Sequence, residues 1–255
     1  MNKRLFPILI FIVIFAINIV AHGIEDEGSN LSLISERSLQ YIYVAGLIMI
    51  LITIFSILFE KKLPARGKSV TFWLITIPVI FATIYLVGST IYLNIKSPTH
   101  GPVHWHADFE IEICSKDIEL VDPKGLFNRV GTPLLHEHND NRIHVEGTPY
   151  SLQSIDLAAF FQAIGGEFSS SRLVVPTNEG RIIIENGQLC NGKPGRLMLF
   201  VEKQQGKDRV WKMEESMGEY IMAGYSTIPP GDRIKIIFTS ESQEDVLNQI
   251  IMEGR

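Results

Sequence analysis

The chain has 255 residues, 46% of them hydrophobic, and a formal net charge of −5. A mildly acidic chain offers no basic footprint for a polyanion, so nucleic acid is not an expected partner. The apolar residues are unevenly spread, and the chain splits into an oily first third and a remainder of ordinary soluble composition.

Leu5 to Ala21, Tyr41 to Phe59 and Phe72 to Leu93 contain no Asp, Glu, Lys or Arg. About 17–25 such residues are what a helix needs to cross a bilayer core, so three transmembrane helices are predicted over residues 1–94. Tyr41, Tyr43, Trp73 and Tyr92 near the ends of the later spans suit the headgroup zone. Lys3 and Arg4 precede the first span, and Lys61, Lys62, Arg66 and Lys68 separate the second from the third, whereas Glu25, Asp26 and Glu27 follow the first. Because basic loops stay inside, this pattern places residues 95–255 outside the cytoplasm, anchored to the plasma membrane.

The first span also has the basic start and apolar stretch of a signal peptide, ending at Ala21, although Ile19 is not the small residue that cleavage prefers. Cleavage there would expose His22, whose amine and imidazole together chelate copper. Either version leaves the large domain on the same side. The spans carry no ionisable group, so they read as an anchor rather than an ion pathway. Asn18, Pro78 and Gly88 are their mild irregularities, of the kind that kinks or packs membrane helices.

A short joint with Pro98, Gly101 and Pro102 breaks the third helix. Beyond it, alternating patterns predict strands at Val103 to Ile113, Arg142 to Glu146, Arg181 to Glu185, Arg196 to Glu202 and Asp232 to Thr239. Ser154 is positioned to cap a helix running to Gly165, with Leu157, Phe160, Phe161 and Ile164 on one stripe. A second helix near the carboxyl end carries Val246, Leu247, Ile250 and Ile251. Glu214-Glu215 reads as a solvated helix face, and Gly165-Gly166 and Gly192 to Gly195 read as turns. Strands with few helices predict an α+β domain. Pro229-Pro230-Gly231-Asp232 before Arg233 to Phe238 resembles the last turn and strand of β-grasp domains.

Cys114 and Cys190 both fall in the domain expected outside the cytoplasm, where an even pair is first read as a disulfide and metal ligation is the alternative. Six of the seven histidines lie between His100 and His144. On the first strand, alternation puts His104, His106, Asp108, Glu110 and Glu112 on one face and Trp105, Ala107, Phe109, Ile111 and Ile113 on the other, which is the core face. Leu134 to His138 and Arg142 to Glu146 flank Asn139-Asp140-Asn141, a three-residue hairpin turn in which Asn141 takes the left-handed conformation. That register sets His138 opposite Arg142 and His136 opposite His144, with Cβ atoms about 5 Å apart. Glu146 shares their face.

The expected metal ligands are therefore His104, His106, His136, His138 and His144, with Glu146, while Asp108 and Glu137 are candidates for orienting a ligating ring. A nitrogen-rich set without methionine or paired thiolates suits zinc or copper(II) better than magnesium or calcium. His100 reads as a surface residue. A hydrogen-bonded histidine network or a protonation switch is the competing explanation. His136-Glu137-His138 lacks the spacing of the helical His-Glu-x-x-His motif, and no nucleophile elbow, phosphate loop or dinucleotide fingerprint occurs, so no catalytic residue is identified.

The strings HWHADFE and LHEHNDNRIHVEG, the three spans and the Leu189 to Gly195 segment resemble a group of uncharacterised prokaryotic membrane-anchored proteins. The resemblance covers most of the chain and implies that these parts belong together; it implies no activity. Three functions remain open: a tethered domain that captures, buffers or delivers zinc or copper; a metalloenzyme at the membrane surface using Glu137, Asp108 or Glu146 as acid or base; and an assembly or pH-sensing subunit. The expected partners are the lipid bilayer, a metal ion and other membrane proteins.

Overall fold

The computed structural model describes residues 30–124, 128–205, 208–222 and 231–253. The expected first span, His22 and Pro229-Pro230 lie outside the described residues. The chain divides between Lys96 and Ser97 into two compact units.

In the first unit, helix α1 (Asn30–Phe59) and helix α2 (Ala65–Lys96) pack against each other, joined by a 3-10 turn at Glu60–Lys62. Their 30 and 32 residues span about 45 Å each at 1.5 Å per residue, longer than the roughly 30 Å of a bilayer core. Tyr41 meets Tyr85 edge to face, with ring centroids 5.1 Å apart. Ile52 is buried, but many of the apolar residues face outward, with Leu58 72% and Phe81 70% exposed. A helix that is apolar all round cannot leave such surface in water. The hydroxyls of Thr71, Thr83 and Thr90 bond the carbonyls of Gly67, Val79 and Leu86, one turn back, so these polar groups are satisfied within the helix.

The second unit holds strands β1 (Val103–Ile113), β2 (Lys116–Asp117), β3 (Val130–Gly131), β4 (Leu135–Glu137) and β5 (Arg142–Gly147), then helix α3 (Leu157–Ala163). A small sheet follows, β6 (Glu167–Phe168), β7 (Arg172–Thr177) and β8 (Gly180–Glu185), and a short hairpin, β9 (Leu189–Cys190) and β10 (Lys193–Pro194). The chain closes with β11 (Arg196–Gln205), β12 (Asp208–Met213), β13 (Asp232–Thr239) and helix α4 (Gln243–Glu253). The main sheet runs β12-β11-β13-β1-β5-β4-β3, with β2 paired to β1. β1 and β13 are parallel at its centre and their neighbours antiparallel, so the sheet is mixed.

Alternation sorts this sheet into two faces. Ala107, Phe109 and Ile111 of β1, Ile143 and Val145 of β5 and Ile234 and Ile236 of β13 pack with Phe160 and Phe161 of α3 in the main core. On the opposite face, Val246 and Ile250 of α4 cover Met198, Phe200 and Ile237, at the β11–β13 end alone. The same face of β1, β5 and β4 carries the histidines. Cys114 and Cys190 stand at disulfide distance, with Cα atoms 5.5 Å apart.

Three local expectations are corrected. The cap of α3 is Asp156, whose carboxylate accepts from the Ala159 N–H at 2.7 Å; Ser154 instead donates to the Ser151 carbonyl within a 3-10 turn. Glu214 and Glu215 lie outside any helix, and Glu214 takes an ion pair from Lys203 at 3.0 Å. β7 and β12 are strands that the alternating pattern did not mark, β7 because Pro176 interrupts it.

Candidate metal centre

Three adjacent strands align the histidines in one row. His106 of β1 pairs in register with His144 of β5, and His144 pairs with His136 of β4. One residue pair further along the same face, His104 stands opposite Glu146. The register at β4–β5 is the one a three-residue turn dictates, and both Asn139 (φ 65°) and Asn141 (φ 53°) adopt the left-handed conformation. The ladder stops at His136 and His144, so no His138–Arg142 pair forms. Arg142 pairs with Asp108, in register, Nε to Oδ1 at 2.7 Å.

The rings are close enough for shared ligation. Centroids are 4.6 Å apart for His104 and His106, 5.0 Å for His106 and His144, 4.9 Å for His138 and His144 and 4.8 Å for His136 and His138. Two imidazoles on one tetrahedral ion, with metal–nitrogen bonds of about 2.0–2.1 Å, have centroids about 5 Å apart. Among the described residues, two groups of three offer ring nitrogens that all lie within 4.8 Å of one another: His104, His106 and His144, and His136, His138 and His144. His144 belongs to both.

Hydrogen bonding fixes which nitrogen each ring presents. The Thr132 carbonyl stands 3.1 Å from Nδ1 of His136, and the Asn128 carbonyl meets Nδ1 of His138. A carbonyl only accepts, so Nδ1 carries the proton in both rings and Nε2 keeps its lone pair. Ligating histidines are characteristically held this way. In His144, Nε2 faces the Asp140 carboxylate at 3.3 Å, while Nδ1 is buried without a hydrogen-bond partner. An unsatisfied buried polar atom costs about 1–3 kcal/mol, a cost that a coordinated ion removes.

The His104 side chain is 59% exposed, whereas His106 is buried and the side chains of His144 and His136 are 12% and 2% exposed. Desolvation pushes the pKa of His136 and of His144 below the ordinary histidine value, against the nearby carboxylates Glu146 and Asp140 that pull them up. Neutral rings are the ligating form. Glu146 reaches both sides, with Oε1 3.1 Å from Nε2 of His104 and Oε2 3.9 Å from Nε2 of His136.

Glycine at position 131 is required by this packing. Gly131 (φ +118°) pairs with His136, and an added Cβ would fall 2.4 Å from the Leu135 carbonyl and 3.0 Å from the His136 Cα. The β3 edge therefore lies against the histidine row as only glycine permits.

The two carboxylates expected to orient rings are placed elsewhere. Asp108 is held by Arg142. Glu137 alternates to the opposite face from His136, is buried, and accepts from the N–H groups of Asp140 and Asn141 through Oε1. Its burial raises its carboxyl pKa, with those N–H groups pulling the other way. Glu137 thus shapes the turn that carries Asp140, and Asp140, like Glu146, is a carboxylate that touches a histidine. Sequence reading missed Asp140, whose signal is the four-residue spacing from His144 across the turn. The Thr132 and Asn128 carbonyls leave no sequence signal at all. His100 is exposed and belongs to neither group.

Comparison with protein families, with curated proteins and with solved structures finds no match to this chain, so the histidine centre is interpreted from its own geometry.

Proposed function

We propose that this protein is a membrane-tethered, extracytoplasmic metal-binding protein that captures, buffers or delivers zinc or copper(II) through its histidine row. One observation carries the reading: His136 and His138 each donate Nδ1–H to a carbonyl, which leaves Nε2 its lone pair, and both belong to a group whose ligand atoms lie within 4.8 Å of one another, beside the buried, unpartnered Nδ1 of His144. A hydrogen-bonded network would satisfy that nitrogen; an ion site leaves it waiting for a ligand bond. The all-nitrogen donor set favours zinc or copper(II) over oxygen-seeking cations.

The outward apolar surfaces of α1 and α2 support the anchor, and the loop charges support an exterior domain. The parallel centre of β1 and β13, flanked by antiparallel β5 and β11 with α3 packed across one face, supports a β-grasp-like arrangement. The spacing of Cys114 and Cys190 supports a disulfide, consistent with an oxidising compartment.

The full chain, purified in detergent, is expected to retain zinc or copper by elemental analysis and to lose it when His106, His136 and His144 are replaced by Ala. A chain that takes up neither ion, and melts identically with and without chelator, would refute the reading. Protease added to intact cells should cut residues 97–255; protection would place the domain inside. A metalloenzyme is the second reading, favoured by three-histidine groups that leave a fourth position open beside the half-exposed Glu146. Metal-dependent turnover lost in Glu146→Gln, with metal retained, would establish it.

A further inference from the structure

Resting on the metal-binding reading, we propose that the centre holds two ions rather than one, on either side of His144: an outer ion at His104, His106 and His144, and an inner ion at His136, His138 and His144. Sheet geometry is the first reason. His106 and His136 lie in register on β1 and β4 with β5 between them, so their backbones are two strand spacings apart, about 9–10 Å. The imidazole of His144 rises between them, and one ion bonded to both outer members of the row would have to occupy its place. The five histidines accordingly fall into two groups that share His144.

Glu146 is the second, independent reason. Its carboxylate sets one oxygen toward each group, Oε1 to His104 and Oε2 to His136. A carboxylate so placed supplies an oxygen to each ion and offsets their mutual repulsion, with Asp140 beside His144 adding a further negative charge. His144 would serve both ions, Nδ1 to one and Nε2 to the other. Binding the second ion then releases the Nε2 proton, now donated to Asp140, to solvent, and separates the ions by about 6 Å, given metal–nitrogen bonds of about 2.0–2.1 Å. Each group has one ring more open to solvent, His104 in the outer and the half-buried His138 in the inner, beside two buried rings.

The test loads the full chain in detergent with zinc chloride, removes unbound ion and counts zinc per chain, for wild type, His104→Gln, His138→Gln and the double variant. The expected counts are two, one, one and none. Loading with copper(II) should give a magnetically coupled pair in wild type and an isolated copper signal in each single variant. Should one variant fail to fold, the wild-type count and the other variant still decide. A wild type that saturates at one zinc overturns the two-ion proposal while leaving metal binding intact; a count of none overturns both.

Discussion

Replacing His144 by Leu should reverse its effect on stability according to whether metal is present. Without metal, the wild-type ring buries Nδ1 with no partner, at a cost of about 1–3 kcal/mol. Leucine removes that cost and forfeits the partly exposed Asp140 contact, whose net value is about 0.5–1.5 kcal/mol. The metal-free variant is therefore expected to lie between about 0.5 kcal/mol less stable and about 2.5 kcal/mol more stable than wild type. With zinc at about a hundred times its Kd, wild type gains about 2.7 kcal/mol that the variant cannot. For a domain of this size that gap is about 5–10 °C in Tm. The assay is thermal unfolding of both proteins in chelator and in zinc. Equal destabilisation of His144→Leu under both conditions would refute the reasoning, because the ring would then be packing core rather than awaiting an ion.

Gly131→Ala should weaken zinc binding at least tenfold by titration, since its Cβ displaces the backbone that pairs with His136. Asp108→Asn should leave zinc affinity within about twofold and cost no more than about 1 kcal/mol in denaturant unfolding, because its carboxylate serves Arg142 on a partly solvated face. Metal-free stability should fall as pH drops below about 6.5: His136 and His144 have lowered pKa values when folded, so the unfolded chain takes up their protons first. Glu137 acts in the opposite sense, its raised pKa removing stability as pH rises above about 4.5, and Glu137→Gln should therefore steepen the net loss toward acid in denaturant midpoints measured from pH 7.5 to 5.

The sheet face and the hairpin register were legible because both follow from short-range rules. Alternation alone separates His104 and His106 from Trp105 and Ala107, and a three-residue turn alone sets His136 against His144. The order of strands was not legible. Placing β1 beside β5, and so His106 beside His144, depends on pairing across the Leu120 to Val130 stretch, whose side chains show no period. Asp108 misled for a related reason: it shares the histidine face, but its position along β1 matches Arg142 in the cross-strand register, and an ion pair claims it first. Glu137 misled because its neighbours in sequence are ligand candidates while its face is the other one.

The division of labour between strand and loop explains why the row suits an ion rather than a core. His106, His144 and His136 are fixed by ladder pairing, which positions a ring more tightly than a loop does. His104, paired with Glu146 in the same ladder, and His138, just beyond β4, each close one group. Helix α4 covers Met198 and Phe200 at the β11–β13 end, whereas the rings of His136 and His138 are held by the Thr132 and Asn128 carbonyls. Those carbonyls orient the rings and leave Nε2 of each with its lone pair, the form in which an imidazole could take a cation.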